Sequence, residues 1–251
     1  MENGNLSLEI NDGVGVITFG HPNSNSLPSI LLRKIADAFN QLSSDDNVRV
    51  ILFQSEGTRA FCAGAALNEL IAIQNEAEGL AFFSGFAHII NAIRKSSKLV
   101  IGRIQGKAVG GGVGLIGACD YTFATQESAV KLSEISIGIG PFVIEPTLRR
   151  KMGLAATSQL SIDATNWRNA EWAKQYGLFS EVYPSIEAMD EAINILVNKL
   201  SGYNQESLKA LKQGFWEGTE HWDDLLIERA KLSGQLVLSE ETQKALAKFR
   251  K

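Results

Sequence analysis

The chain has 251 residues, 45% hydrophobic and 21% charged, which supplies enough apolar material for one large domain with a sizeable core. Its formal net charge of −4 and the lack of any clustered Lys/Arg run exclude the electrostatic footprint of a nucleic-acid binder or of a protein held on an anionic membrane. The opening "MENGNLSLEI" has neither the basic-then-apolar order of a secretory signal nor the character of a transit peptide, and no apolar run reaches spanning length, so a cytoplasmic location is expected. Cys62 and Cys119 stand in no metal-ligand spacing and read as buried free thiols.

In chain order, "LSLEI" and "GVGVITF" flank Asn11-Asp12-Gly13 and predict a hairpin over 6–19. Pro28 suits the first turn of a helix, and Ile30, Leu31, Ile35, Phe39 and Leu42 recur at helical spacing after it. "VRVILFQSE" (48–56) predicts a buried strand, the apolar spacing of 68–96 one long helix, and "KLVIGRIQG" another strand. "DYTFAT" and "AVKL" are short strands, followed by the turn "GIGPF". From about residue 146 the pattern is helical, with a stripe of Ile193, Leu196, Val197 and Leu200, a stop at Gly202 and a last helix capped by Ser239.

"GKAVGGGVGLIGACD" (106–120) admits two chemistries. From Gly112 it matches a dinucleotide fingerprint, with Glu134 at the distance of a ribose-binding acid. That fold requires a strand ending at the first glycine and a helix long enough to cross back over the sheet. Here the strand run ends near Ile104 and only about six residues separate Gly112 from the next strand, which is too short for that crossover. From Gly110 the stretch is instead a triple glycine opening a short helix. The first N–H groups of such a helix have no internal partners, and glycine lets a ligand approach them closely. They either stabilise a developing oxyanion, at about 3 kcal/mol per donor, or simply permit tight helix–strand packing. "RAFCAGAALNEL" (59–70) repeats the device, placing Ala63, Gly64, Ala65 and Ala66 ahead of another helix.

"AFCAGA", "GKAVGGGVGLIGACDYTFAT", "LSEISIGIGP" and "AKQYGLFSEVYP", in this order and spacing, resemble the crotonase, or enoyl-CoA hydratase/isomerase, family over nearly the whole chain. The resemblance implies an α/β fold, a spiral of ββα turns over 1–190 that binds acyl-CoA and catalyses, with a helical C-terminal trimerisation region over 191–251. It implies a homotrimer or a dimer of trimers, an acyl-CoA thioester as substrate, and no cofactor beyond the coenzyme A of that substrate. The N–H groups of Ala65 and Gly111 match the pair that holds the thioester oxygen, with Gly110 and Gly112 flanking the second. The segments around Asn25 and from Cys62 through Ala63 and Gly64 to Leu67 match adenine and pantetheine contacts. Pro141 and Phe142 fall where relatives line the acyl pocket, and Lys248 or Lys251 is the nearest match to a phosphate-binding lysine.

The departures from the family decide the expected chemistry. Hydratases of this family use two glutamates; the first matches Gly114 here, the second Glu134. A single carboxylate at the second position is the isomerase arrangement, which moves one proton between the α and γ carbons. Isomerisation is therefore expected ahead of hydration, which would need another group to hold water; a catalytically poor acyl-CoA-binding subunit is the further alternative. Ala66 stands where an Asp is common, which removes a helix cap. Glu145 reads as a helix-start acid or a second catalytic group. His21, His88 and His221 lack nucleophile partners, and Trp167, Trp172, Trp216 and Trp222 read as core and subunit-contact residues.

Overall fold

The computed structural model describes residues 3–249. β1 (Asn5–Asn11) and β2 (Val14–Gly20) form the expected hairpin, with Asp12 (φ 49) and Gly13 (φ 83) both left-handed in the tight turn between them. β3 (Val50–Ser55), β5 (Leu99–Ile104), β7 (Tyr121–Thr125) and β10 (Glu181–Tyr183) extend this sheet in parallel, in the order β1-β2-β3-β5-β7-β10. β4 (Ala60–Cys62), β6 (Lys107–Val109), β8 (Ala129–Lys131) and β9 (Arg168–Asn169) form a second sheet in the order β4-β6-β8-β9, antiparallel only in its last pair.

Each pass of the chain thus adds a strand to the first sheet, then one to the second, then a helical segment. After β3 and β4 come α2 (Leu67–Ala72) and α3 (Glu76–Lys95); after β5 and β6 comes α4 (Gly111–Ala118); after β7 and β8 comes a 3-10 turn, Glu134–Ile137. This is the ββα spiral. Its second-sheet strands end beside one another, so the segments that follow them gather at one place.

α1 (Ser29–Ser44) starts one residue after Pro28, which occupies the cap position and offers no side-chain acceptor. Glu69 of α2 supplies it instead, its Oε2 accepting from the Ser29 N–H at 2.8 Å and Oγ–H at 2.5 Å. The long helix expected over 68–96 is two helices. Asn75 takes an extended backbone and its side chain accepts from the Glu78 N–H, a local bond that opens a new helix at Glu76.

α5 (Glu145–Ile162) breaks at Gly153 (φ 77), and α6 (Ala170–Gln175) and α7 (Ile186–Gly202) follow. The region after 146 is therefore not all helical: β9 and β10 lie in it, at two and three residues too short to register as an alternating pattern. A division at 190/191 falls inside α7, which packs Met189, Ile193, Val197 and Leu200 on Val50, Leu52, Ile101 and Phe123 of the first sheet. α8 (Gln205–Phe215), α9 (Trp222–Leu236) and α10 (Glu240–Ala247) complete the chain, with Ser239 capping α10 through the Thr242 N–H.

The main core lies on the other face of the first sheet. There Phe19, Phe39, Phe53 and Phe61 are fully buried, with Phe53 5.2 Å from both Phe19 and Phe39 ring to ring. Burial of such side chains contributes about 1.5–3 kcal/mol each. Among the described residues no helix is long and apolar enough to cross a membrane.

Candidate active site

Two corners of the second sheet meet. After β4 the chain turns through Gly64 (φ 85), where an added Cβ would lie 2.8 Å from the Val109 carbonyl oxygen and 3.7 Å from the Gly111 nitrogen. After β6 it turns through Gly110 (φ 54, ψ −122), a conformation that glycine tolerates and other residues do not. Space forces glycine there as well, because a Cβ on Gly110 would lie 2.6 Å from Glu134 Oε1.

Among the described residues several backbone groups at these corners are hydrogen-bonded, and the N–H groups of Ala65 and Gly111 are among those that are not. A bridge pairs Leu27 with Ala65, using the Gly64 carbonyl (2.8 Å) and the Ala66 N–H (3.1 Å). It leaves the Ala65 N–H without a partner among the described residues. Gly110 donates to the Lys131 carbonyl and accepts from the Val113 and Gly114 N–H groups. The Gly111 N–H, first in α4, is left free in the same way. Both free groups line one cavity of about 380 Å³. The start of an eight-residue helix adds its positive dipole end at Gly111.

Glu134 opens the 3-10 turn on the wall of the same cavity. Its Oε2 is buried with no hydrogen-bond partner. Burial pushes its carboxyl up from 4.5 to about 7, while backbone N–H groups of Glu134 and Ser133 pull weakly the other way. No charged side chain contributes to the shift. A carboxyl so placed changes protonation near neutral pH, as proton transfer to and from a substrate requires.

The remaining wall is largely apolar. Leu67, Leu70, Phe83, Phe86, Ile137, Ile139, Pro141, Phe142, Val143 and Ile144 contribute, together with Ala63 and Gly64. Phe249, just past α10, closes one side. Leu70, Phe83, Phe86, Ile144 and Phe249 carry no motif of their own, and only their apolar character in the sequence hinted at this use.

Several residues expected to touch substrate have other tasks. Cys62 and Gly112 face each other in the core, where a Cβ on Gly112 would lie 2.7 Å from the Cys62 Cβ. The Cys62 thiol accepts from the Gly64 N–H at 3.3 Å, and burial pushes its pKa to about 12. Gly114 packs under Ile144, whose Cγ2 would lie 2.2 Å from an added Cβ. Asn25 (φ 57) pins its own turn, its side chain donating to the Glu56 (2.8 Å) and Ala60 (2.9 Å) carbonyls and accepting from the His21 N–H. None of Asn25, Cys62, Gly112 and Gly114 lines the cavity.

Lys248 is exposed at the end of α10 and also lies outside the lining, while Lys251 falls outside the described residues. Glu145 begins α5, its N–H bonded to the Pro141 carbonyl at 2.8 Å, and is absent from the wall. Ala66 leaves α2 without a side-chain cap.

A larger open groove of about 1020 Å³ runs along α1 and α3, past Arg33, Asp37 and His88, but contains neither free corner nor Glu134. His21 bonds within its turn to the Asn23 N–H, and His221 precedes α9. Trp216 and Trp222 are buried against each other at 5.9 Å, whereas Trp167 is 40% exposed between the ammonium groups of Lys107 and Lys131. Among the described residues no group of three or more His, Cys, Asp or Glu is placed to hold a metal ion.

Comparison with known proteins agrees with this architecture. The chain is 27% identical over 252 residues to a short-chain-enoyl-CoA hydratase of Clostridium acetobutylicum, covering 99% of this chain and 95% of that one. It is 26% identical over 220 residues to a mitochondrial Delta(3,5)-Delta(2,4)-dienoyl-CoA isomerase of Pongo abelii, covering 82% of this chain and 66% of that one. The crystal structure of an enoyl-CoA hydratase from Bacillus halodurans superposes with a TM-score of 0.90 at 22% identity, over 97% of this chain and 99% of that one, and so shares the fold. A profile described as Enoyl-CoA hydratase/isomerase matches residues 9–250. With glycine corners, a lone acid and a ββα spiral in place, the chain belongs to the enoyl-CoA hydratase/isomerase family and is an enzyme of the crotonase type.

Proposed function

We propose that the protein isomerises the double bond of an enoyl-CoA thioester, with Glu134 as the single acid/base. In the 3-enoyl-CoA direction the Glu134 carboxylate takes a proton from the α carbon. The electrons of the broken C–H bond move onto the thioester oxygen, which the Ala65 and Gly111 N–H groups hold. The resulting dienolate is reprotonated at the γ carbon by the same carboxyl, giving the conjugated 2-enoyl-CoA. No second acid is needed, and Glu134 ends as it began.

The observation that carries this reading over hydration is the filling of the Gly114 position. Ile144 occupies the space that a side chain there would need, so the wall offers no second carboxylate to hold water beside the β carbon. Hydration is the second reading, favoured by the match to the clostridial hydratase over 99% of this chain. It would require a hydroxyl of the wall, such as Ser133, to orient the water.

Incubation with 3-enoyl-CoA and with 2-enoyl-CoA separates the two. Isomerisation makes the conjugated thioester absorbance rise with the first substrate. Hydration makes it fall with the second and leaves the first unchanged, which would refute the isomerase reading. A trimeric assembly is part of the same proposal. α8 buries only Lys212 and leaves Leu211 (48%) and Phe215 (46%) exposed, an apolar face that a neighbouring copy would cover.

A further inference from the structure

The cavity wall carries another polar side chain that the proposed chemistry does not use. Ser233, in the last half of α9, is 1% exposed and lines the cavity, yet its hydroxyl has no hydrogen-bond partner among the described residues. A serine inside a helix commonly bonds back to a carbonyl one turn earlier. Ser161 does so here, to the Thr157 carbonyl at 2.8 Å, and Ser233 does not. The hydroxyl is open to the cavity and free to bond an oxygen on whatever fills it.

Its place in the cavity is defined by helix packing. Gly234, the next residue, meets Gly79 of α3, where an added Cβ would lie 2.7 Å from the Gly234 Cα. Phe86 stands two turns further along α3, roughly 10 Å at 1.5 Å per residue. Phe86 in turn abuts the Gly111 corner, its Cε1 2.2 Å from where a Gly111 Cβ would be. Ser233 therefore faces the end of the cavity remote from the thioester oxygen. The two charged residues of the wall, Lys131 and Glu134, sit by the other end, next to Gly110.

We propose that the acyl chain accepted by this protein carries a neutral oxygen function, a hydroxyl or keto group, several carbons beyond the thioester, and that Ser233 recognises it. This rests on the acyl-CoA reading given above. A distal carboxylate does not suit the site, because among the described residues no cation lines that end and the charge would be buried unpaired. A plain alkyl end does not suit it either, since it leaves the hydroxyl unsatisfied.

The test is calorimetric binding of non-reactive saturated acyl-CoAs of about four to eight carbons, in matched plain, ω-hydroxy and ω-carboxy series, a range set by the roughly 10 Å span along α3. The wild-type chain is expected to bind its best ω-hydroxyacyl-CoA roughly 3- to 10-fold more tightly than the plain chain of equal length, the range of one neutral hydrogen bond. Ser233→Ala should abolish that preference, bringing the ω-hydroxy and plain chains to the same affinity. Its melting temperature should be unaltered or higher, because alanine favours the helix. An unchanged preference in Ser233→Ala, equal binding of plain and hydroxy chains by wild type, or tightest binding of the carboxy series would each overturn the inference. Failure of every acyl-CoA to bind wild type would overturn the acyl-CoA reading beneath it.

Discussion

Two acids that turn carboxylate oxygens into the interior are treated in opposite ways. Asp120, between α4 and β7, has every carboxylate oxygen occupied. Its Oδ2 accepts from Lys212 Nζ at 2.6 Å and from the Val100 N–H at 2.7 Å, and its Oδ1 from Trp216 Nε1 at 2.9 Å. Lys212 and Asp120 side chains are 1% and 3% exposed, so α8 is fastened to the sheet by a closed polar network. Glu134 is half-buried, with its Oε2 buried and unpartnered and with no counter-ion among the described residues. A satisfied buried charge holds a fold together, whereas an unsatisfied one is a cost that the fold carries elsewhere. The contrast separates a carboxylate that fastens the fold from one that faces a cavity.

The difference can be broken from the structural side first, where the effect is largest. Asp120→Ala leaves the Lys212 ammonium buried without its partner, and should destabilise the chain by about 3–5 kcal/mol in urea unfolding. The molecules that remain folded should keep their activity. A smaller effect is expected where Gly114 packs against Ile144. Gly114→Ala drives a methyl into Ile144 and should cost about 1–3 kcal/mol, and Ile144→Ala should recover part of that loss in a double-mutant cycle. Strict additivity of the two would show that they do not touch.

The smallest effect has the opposite sign. Below about 4.5 Glu134 is protonated in both the folded and unfolded chain, and contributes nothing to the pH dependence. Between 4.5 and about 7 the unfolded chain loses this proton while the folded one keeps it, so stability falls as pH rises. Glu134→Gln should therefore raise the melting temperature at pH 8 and leave it unchanged at pH 4. The same ionisation should make wild-type kcat/KM rise with pH and level off above about 7. An equal effect of the substitution at both pH values would mean that Glu134 is not held neutral by burial.

Much of this arrangement was legible in the sequence because it depends on residue types with few conformational alternatives. The Asn11-Asp12-Gly13 turn, the glycines at 110–112 and the small residues at 63–66 each announce a backbone geometry. What escaped were facts set by distant partners. The break at 73–75 is made by one Asn75 side chain inside an otherwise continuous apolar pattern, and β9 and β10 exist only because β8 and β7 are there to pair with. The wall residues Phe83, Phe86 and Ile144 look like any core residue along the chain, since nothing local marks the face that borders a cavity. The shared motif likewise carried Cys62, Gly112 and Gly114 toward the ligand, although their side-chain positions pack against one another or against Ile144.

The account stands most directly on one substitution, Glu134→Gln, measured for binding and turnover in the same preparation. The amide keeps the shape of the side chain and leaves the Ala65 and Gly111 N–H groups in place. Acyl-CoA affinity is therefore expected to stay within about 3-fold of wild type, less than the loss of one neutral hydrogen bond. Conversion of 3-enoyl-CoA to the conjugated isomer should drop by about 10³-fold, the scale of a lost general base. Turnover that survives the substitution would contradict the assignment of Glu134 as the group that moves the proton.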